Sequence, residues 1–208
     1  MRPREDMEKV LDAALSVFSE YGFRKATVED VAKALGMTKG NIYRYAKGKK
    51  DLYEKTVAWA LSRWQGQVAG AVAAEMDPRR CFIVLAKSAV RYLSTDDRLR
   101  RLLARDPDIF PMFADHDPYG AINAASVAMI RRVLEEGMEA GAFRPVDPPA
   151  TAEAFFSVYK MLIIRAYIRA EEAEMWTAFN AILELLTQGL YRKPETGEEP
   201  PCPEKSST

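Results

Sequence analysis

TVEDVAKALGMTKGNIYRYAKGKKDL, residues 27–52, is the stretch from which the fold is read. Its pattern predicts two short helices, a tight turn between them and the start of a longer helix. Thr27 stands at an N-cap position and Asp30 follows three residues later, a capping box with Asp in place of the usual Glu or Gln. Val28, Val31, Ala32 and Leu35 give the first helix one apolar face. Gly36 stops it, since the residue past a helix end often needs a left-handed conformation that glycine tolerates. Thr38 can cap the second helix, with Ile42 facing inward and Lys39, Asn41, Tyr43 and Arg44 outside. Helix, glycine turn, helix is the plan in which the second helix enters the major groove of DNA.

Upstream, residues 1–6 read as a polar arm. From Met7 to Tyr21 the apolar positions Val10, Leu11, Ala14, Leu15, Phe18 and Tyr21 form a helical stripe that ends at Gly22. Leu11, Leu15, Phe18, Val31, Leu35 and Ile42 should then make one small three-helix core. Downstream, a helix from Lys49 to about Ala74 packs on that core through Leu52 and Val57. Its Trp59, Leu61, Trp64 and Val68 face something larger. No Gly/Ser-rich linker intervenes, so this helix is a mechanical link.

Helices are expected at 78–95, 97–104 and 119–140, around an irregular segment at 106–119 that contains three prolines. Two final helices, 152–170 and 174–191, are apolar on nearly every side. A helix buried on one face shows one stripe, so these need cover on two sides. The most economical second cover is the same pair from another subunit, forming a four-helix bundle about a twofold axis. Residues 193–208 hold no large aliphatic residue and are expected to be disordered.

The chain has 208 residues, 48% of them hydrophobic and 29% charged, in the range of a soluble globular protein. The charged, polar start and the absence of a long apolar run predict a cytoplasmic protein without a membrane segment. Cys81 and Cys202 are too few for a disulfide framework. Thirty basic residues balance thirty acidic ones. Yet from Arg24 to Lys55 nine basic residues face four acidic ones. That local excess is the electrostatic footprint of a DNA-reading domain on a neutral whole.

The motif T-x-E-D-V-A-x-A-L-G-M-T-K-G-N-I-Y-x-Y, followed by K-x-K-K-D-L, resembles the DNA-binding signature of tetracycline-repressor (TetR) family regulators. The resemblance spans about residues 9–57 and departs at Ala46, where the family usually has a large apolar residue. It implies an all-α fold of about nine helices: a three-helix helix-turn-helix domain (residues 5–63, the motif itself about 27–46) joined by a long helix to a helical ligand-binding and dimerisation domain (64–192). It also implies a homodimer on a palindromic operator in double-stranded DNA, and phosphate contacts by Tyr43, Tyr45 and Lys49.

From the residues themselves, Thr27 and Thr38 can serve both cap and phosphate. Lys39 can donate to guanine and Asn41 can bind adenine, the two base-reading candidates. Gly40 permits close approach to the groove, and Arg44 suits phosphate or solvent. The dimer helices point to Phe156, Ile163, Phe179, Leu183 and Leu186 as interface. Trp64, Phe82, Phe110, Phe113, Met129, Phe155 and Tyr159 are candidates to line a mostly apolar effector cavity, with 106–119 as its gate, although each also suits plain core.

Catalysis finds little support. His116 is the only histidine, and the run Asp115, His116, Asp117 cannot readily converge on one ion. No zinc spacing, glycine-rich phosphate loop or nucleophile motif occurs. No cofactor or metal is expected. The expected function is a transcriptional repressor released from its operator by a small hydrophobic effector. The rival readings are a regulator whose larger domain only dimerises or recruits a protein, and an enzyme or carrier.

Overall fold

The computed structural model describes residues 3–106, 109, 117–168, 180–185 and 188–190. Among them the chain is all-α. The helices are α1 (Pro3–Lys25), α2 (Val28–Ala34), α3 (Lys39–Ile42), α4 (Lys49–Ala73), α5 (Pro78–Thr95), α6 (Asp97–Arg105), α7 (Gly120–Glu139) and α8 (Pro148–Ile168). Residues 180–185 and 188–190 are also helical.

Three local expectations are corrected. Residues 3–6 are not an arm but the first turn of α1, because proline at a first helical position gives up an N–H that would be unpaired anyway. Gly22 breaks α1 (φ 74°, ψ 164°) without ending it, and helical structure resumes to Lys25. Similarly, α8 starts at Pro148 rather than 152. Asp147 caps it, its carboxylate accepting from the Ala150 N–H at 2.8 Å, and prolines suit a first turn.

The small core forms as the sequence predicts. Val10, Ala14, Phe18, Val31 and Ile42 have no exposed surface, and Leu15 has almost none; Leu35 is half-buried. Ala46 is buried too. Phe18 meets the Tyr53 ring edge-on at 5.0 Å between centroids, and Phe23 lies 4.8 Å from that same ring. Tyr53 of α4 thus supplies aromatic bulk to this core.

At 1.5 Å per residue, α4 runs about 37 Å. It buries Leu52, Tyr53, Thr56 and Val57 near its start and Ala60, Leu61, Trp64, Val68 and Val72 further on. The first group lies on the helix-turn-helix side, packed with α1, and the second packs with α5 and α7. A second tie joins the two halves through α1 and α6. Arg98 of α6 bridges to Asp12 at 3.1 Å and donates to Ser16 Oγ at 3.0 Å. At the other end of α6, the Tyr53 hydroxyl donates to Asp106.

Behind the larger half sits an aromatic stack. The Phe82 ring lies 4.8 Å from Phe155 and 5.7 Å from Phe143. Phe143 arrives there because left-handed Gly141 (φ 68°) follows the end of α7 and the chain folds back, its Phe143 N–H donating to the Gly137 carbonyl at 3.0 Å. The Phe143 ring then lies so close over α7 that a Cβ on Gly137 would sit 2.1 Å from it. Among the described residues no helix is long and apolar enough to cross a membrane.

Candidate functional site

The turn between α2 and α3 is built by two backbone devices. Thr27 Oγ1 accepts from the Asp30 N–H at 3.1 Å, and the Asp30 carboxylate accepts from the Thr27 N–H at 2.8 Å. This closes the capping box, and the Thr27 hydrogen bonds hold the Asp30 carboxyl below its ordinary range. At the other end of α2, Gly36 is left-handed (φ 64°). Its N–H donates to the Lys33 carbonyl at 3.1 Å, and the Met37 N–H reaches the Ala32 carbonyl at 2.8 Å. Those two bonds are the Schellman pattern, which satisfies orphan carbonyls and turns the chain sharply.

The short α3 that follows keeps only Ile42 inside, while Thr38, Lys39, Gly40, Asn41, Tyr43 and Arg44 are all exposed. Thr38 occupies the N-cap position but makes no side-chain capping bond, which corrects the expected cap. Tyr45 is half-buried against the core, and its carbonyl accepts from Lys55 Nζ at 2.9 Å, whereas Tyr43 is 47% exposed. The two tyrosines therefore differ: Tyr45 packs, and Tyr43 presents its ring outward.

Lysines on this face are held by neighbours. Lys49 Nζ donates to the Arg24 carbonyl at 3.0 Å and lies 4.8 Å from the Phe23 centroid. That favours the cation at the C-terminal end of α1 and over an aromatic face. One of its three N–H donors is used, leaving two for a phosphate. Lys39 forms an ion pair with Glu29 of α2 and lies 5.8 Å from the Tyr43 centroid. The pair raises the Lys39 pKa and lowers that of Glu29. The sequence pattern alone did not single out Glu29; its position in the second place of a capped helix gave no sign that it would cross to α3.

Among the described residues of the larger half, an apolar cavity of about 60 Å³ lies between α4, α5, α7 and α8. Of the expected lining residues, Trp64, Met129 and Tyr159 do border it, together with Leu61, Val68, Leu85, Ile122 and Ile130. Phe82 and Phe155 do not: they are taken up in the aromatic stack with Phe143. Phe110 and Phe113, and most of the expected gate, lie outside the described residues. Phe156, expected at a subunit interface, is among the residues that border the cavity.

The polar part of the wall, Gln65, Asn123, Ser126 and Lys160, was missed, because single polar residues within apolar helices carry no distinctive pattern. Gln65 Nε2 donates to the Ile122 carbonyl at 3.1 Å and to Ser126 Oγ at 3.2 Å. Asn123 Nδ2 donates to Asp117 at 2.6 Å.

Of the expected interface residues, Leu183 is half-buried, while Phe179, Leu186 and the Ile163 side chain lie outside the described residues. The same holds for Asp115, His116, Cys202 and the tail at 193–208. Among the described residues no group of His, Cys, Asp and Glu could hold a metal ion. Met161 and Leu185 leave apolar surface exposed on the last helical segments, Leu185 at 72%.

Residues 10–56 match the family model described as bacterial regulatory proteins, tetR family. Those residues are a TetR-type DNA-binding region. Among relatives of this chain, the HTH-type transcriptional repressor KstR2 of Rhodococcus jostii (strain RHA1) is 22% identical over 190 residues, covering 88% of this chain and 89% of that one. A TetR-family regulator from Pectobacterium atrosepticum superposes with a TM-score of 0.75 at 22% identity, over 93% of this chain and 100% of its own. FadR of Bacillus subtilis, solved in complex with stearoyl-CoA, gives 0.71 at 17% identity, over 88% and 99%. Both superpositions establish the shared fold. The family match makes residues 10–56 a DNA-binding helix-turn-helix of the kind that transcriptional regulators carry.

Proposed function

We propose that this regulator is a homodimeric repressor that leaves its operator when a small, largely apolar molecule enters the cavity between α4, α5, α7 and α8. The observation that carries the reading is the position of that cavity. Its wall includes Leu61, Trp64, Gln65 and Val68 of α4, the helix whose opposite end holds Tyr53 and Leu52 in the helix-turn-helix core. At about 60 Å³ it has room for about two waters, far below the several hundred Å³ of a typical ligand site. An effector must therefore push Trp64, Tyr159 or Met129 apart, and displacing Trp64 acts on α4. Such a ligand favours the state with the wider cavity by its difference in affinity between the two states.

On DNA, Lys39 and Asn41 read bases, and Thr27, Tyr43, Arg44 and Lys49 contact phosphate, with Thr38, Gly40 and Tyr45 shaping the approach of α3. The exposed Met161 and Leu185 support burial of the last helices against a second subunit. A dimer presents two α3 helices to half-sites one helical turn apart, about 34–36 Å. Kinship in fold with FadR, whose solved complex holds stearoyl-CoA, supports an effector with a long apolar part.

The test starts with selection of duplexes from a random library by the purified protein. A palindromic sequence should emerge, and apolar compounds that raise the melting temperature should release it in a band-shift assay. Compounds that stabilise the protein without affecting DNA binding would refute the effector role. They would leave a regulator whose larger half serves only assembly.

A further inference from the structure

Glu29 and Lys39 meet across the turn of the helix-turn-helix. The carboxylate belongs to α2 and the ammonium to the start of α3, and they are in direct contact. Both side chains remain about half exposed, Lys39 at 46% and Glu29 at 55%. The pair therefore lies on the surface that would meet DNA and is not part of the core. The neighbouring acid, Asp30, is occupied by Thr27, so Glu29 is the carboxylate that answers Lys39. The Tyr43 ring centroid lies 5.8 Å from the ammonium.

We propose that Glu29 is a specificity-determining residue, which holds the Lys39 ammonium back from arbitrary phosphates while leaving it able to donate to guanine. This rests on the DNA-binding reading above and deepens it. A phosphate competing for Lys39 brings negative charge up to the Glu29 carboxylate and must displace it. Guanine O6 and N7 are neutral acceptors, and an ammonium with three donors can serve them while keeping one hydrogen bond to Glu29. Glu29 thus opposes random DNA more than it opposes a site with guanine in the right place. Specificity is a difference of affinities, so a group that weakens the wrong complex raises it as surely as one that strengthens the right complex. A carboxylate beside the reading lysine also fixes where the ammonium lies before DNA arrives, so Glu29 is a positioning residue for Lys39.

The test compares wild type, Glu29→Gln, Lys39→Ala and the double variant, each confirmed as folded by circular dichroism. Each is titrated, across a salt series, with a duplex selected by the wild type and with a shuffled duplex of the same composition. Exposed ion pairs are weak, so releasing one should be worth about threefold per subunit, or about tenfold for a dimer. Glu29→Gln should raise affinity for the shuffled duplex by about that much, and affinity for the selected duplex by clearly less. Its slope of log K against log salt on the shuffled duplex should steepen by about 1.8, at about 0.9 per newly engaged phosphate. In the Lys39→Ala background, Glu29→Gln should change both duplexes equally and leave their ratio alone.

An equal rise on both duplexes in both backgrounds would overturn the proposal, leaving Glu29 as a general repulsive charge. Loss of affinity for the selected duplex alone would overturn it as well, since the carboxylate would then be reading a base itself. Failure of the wild type to select any sequence would remove the DNA-binding reading and this inference with it, and is recognised before any variant is made.

Discussion

In the helix-turn-helix the residues that would meet a partner stand outside a small core. Lys39, Asn41, Tyr43 and Arg44 are exposed while Ile42, between them, is fully buried. The larger half does the opposite: its candidate contacts, Trp64, Met129 and Tyr159, are partly or wholly buried around a cavity, and its conspicuous aromatics, Phe82 and Phe155, are structural. A surface site can change its reading residues without touching the core. In an internal site every lining residue is also a packing residue, so function and stability draw on the same side chains. The two halves are nonetheless coupled by α4 and by the Arg98–Asp12 and Tyr53–Asp106 contacts between α6 and the N-terminal half.

That coupling can be broken or sharpened by substitutions on each side of it. Phe18→Ala removes a fully buried ring from the N-terminal core and should cost about 3–5 kcal/mol in urea unfolding. With the halves coupled, one transition should shift as a whole; a separate early transition followed by melting of the larger half at its old midpoint would show that they unfold independently. Gly137→Ala attacks the other half, where the added methyl meets the Phe143 ring. Overpacking of this kind costs about 1–3 kcal/mol, and the same single transition should move. An unchanged midpoint would mean that Phe143 can leave α7 freely.

Thr27→Ala, which removes the α2 cap, should cost about 1 kcal/mol and reduce DNA affinity as α2 frays. Its pH dependence follows from Asp30. The folded carboxyl titrates below its ordinary value, so its contribution is complete above about pH 3.9 and disappears as pH falls toward the folded value. The stability gap between wild type and Thr27→Ala should narrow on acidification below about pH 4; a constant gap would show that the Asp30 half of the capping box contributes nothing. The smallest effect is expected for Arg98→Ala. Its side chain is 30% exposed, and such a pair contributes under about 1 kcal/mol to stability. It should nevertheless weaken the response of DNA binding to an effector, measured as the ratio of affinities with and without the compound. An unchanged ratio would place the coupling in α4 alone.

What could be read in advance divides along the same line. Thr27, Asp30 and Gly36 act through the backbone within a few residues, so their spacing gives the cap and the turn directly. Helices 78–95, 97–104 and 119–140 followed from local periodicity and stops in the same way. The site on α3 was legible because exposure of Lys39 and Asn41 follows from burial of Ile42. Pairing is a different matter. Contact between Glu29 and Lys39 depends on the angle between two helices, and Lys49 reaching the Arg24 carbonyl spans 25 positions. The cavity was legible least of all. Whether Phe82 borders space or packs on Phe143 depends on Gly137 admitting that ring to the helix backbone, and whether Phe156 faces a partner or the cavity depends on the rotation of α8. Both are tertiary facts with no local signal.

The central claim, that occupancy of the cavity governs DNA binding, is tested most directly by filling it from within. Ser126 of α7 lines the wall, and its hydroxyl accepts from Gln65 and donates to the Ile122 carbonyl of the preceding turn. Ser126→Leu should occupy the space without disturbing α3. The measurement is the affinity for a duplex selected by the wild type, with and without an apolar compound that releases the wild-type protein. Ser126→Leu should bind the duplex within about threefold of wild type and should no longer be released at the same compound concentration. Undiminished release of Ser126→Leu would contradict it, because the compound would then act from somewhere other than this cavity.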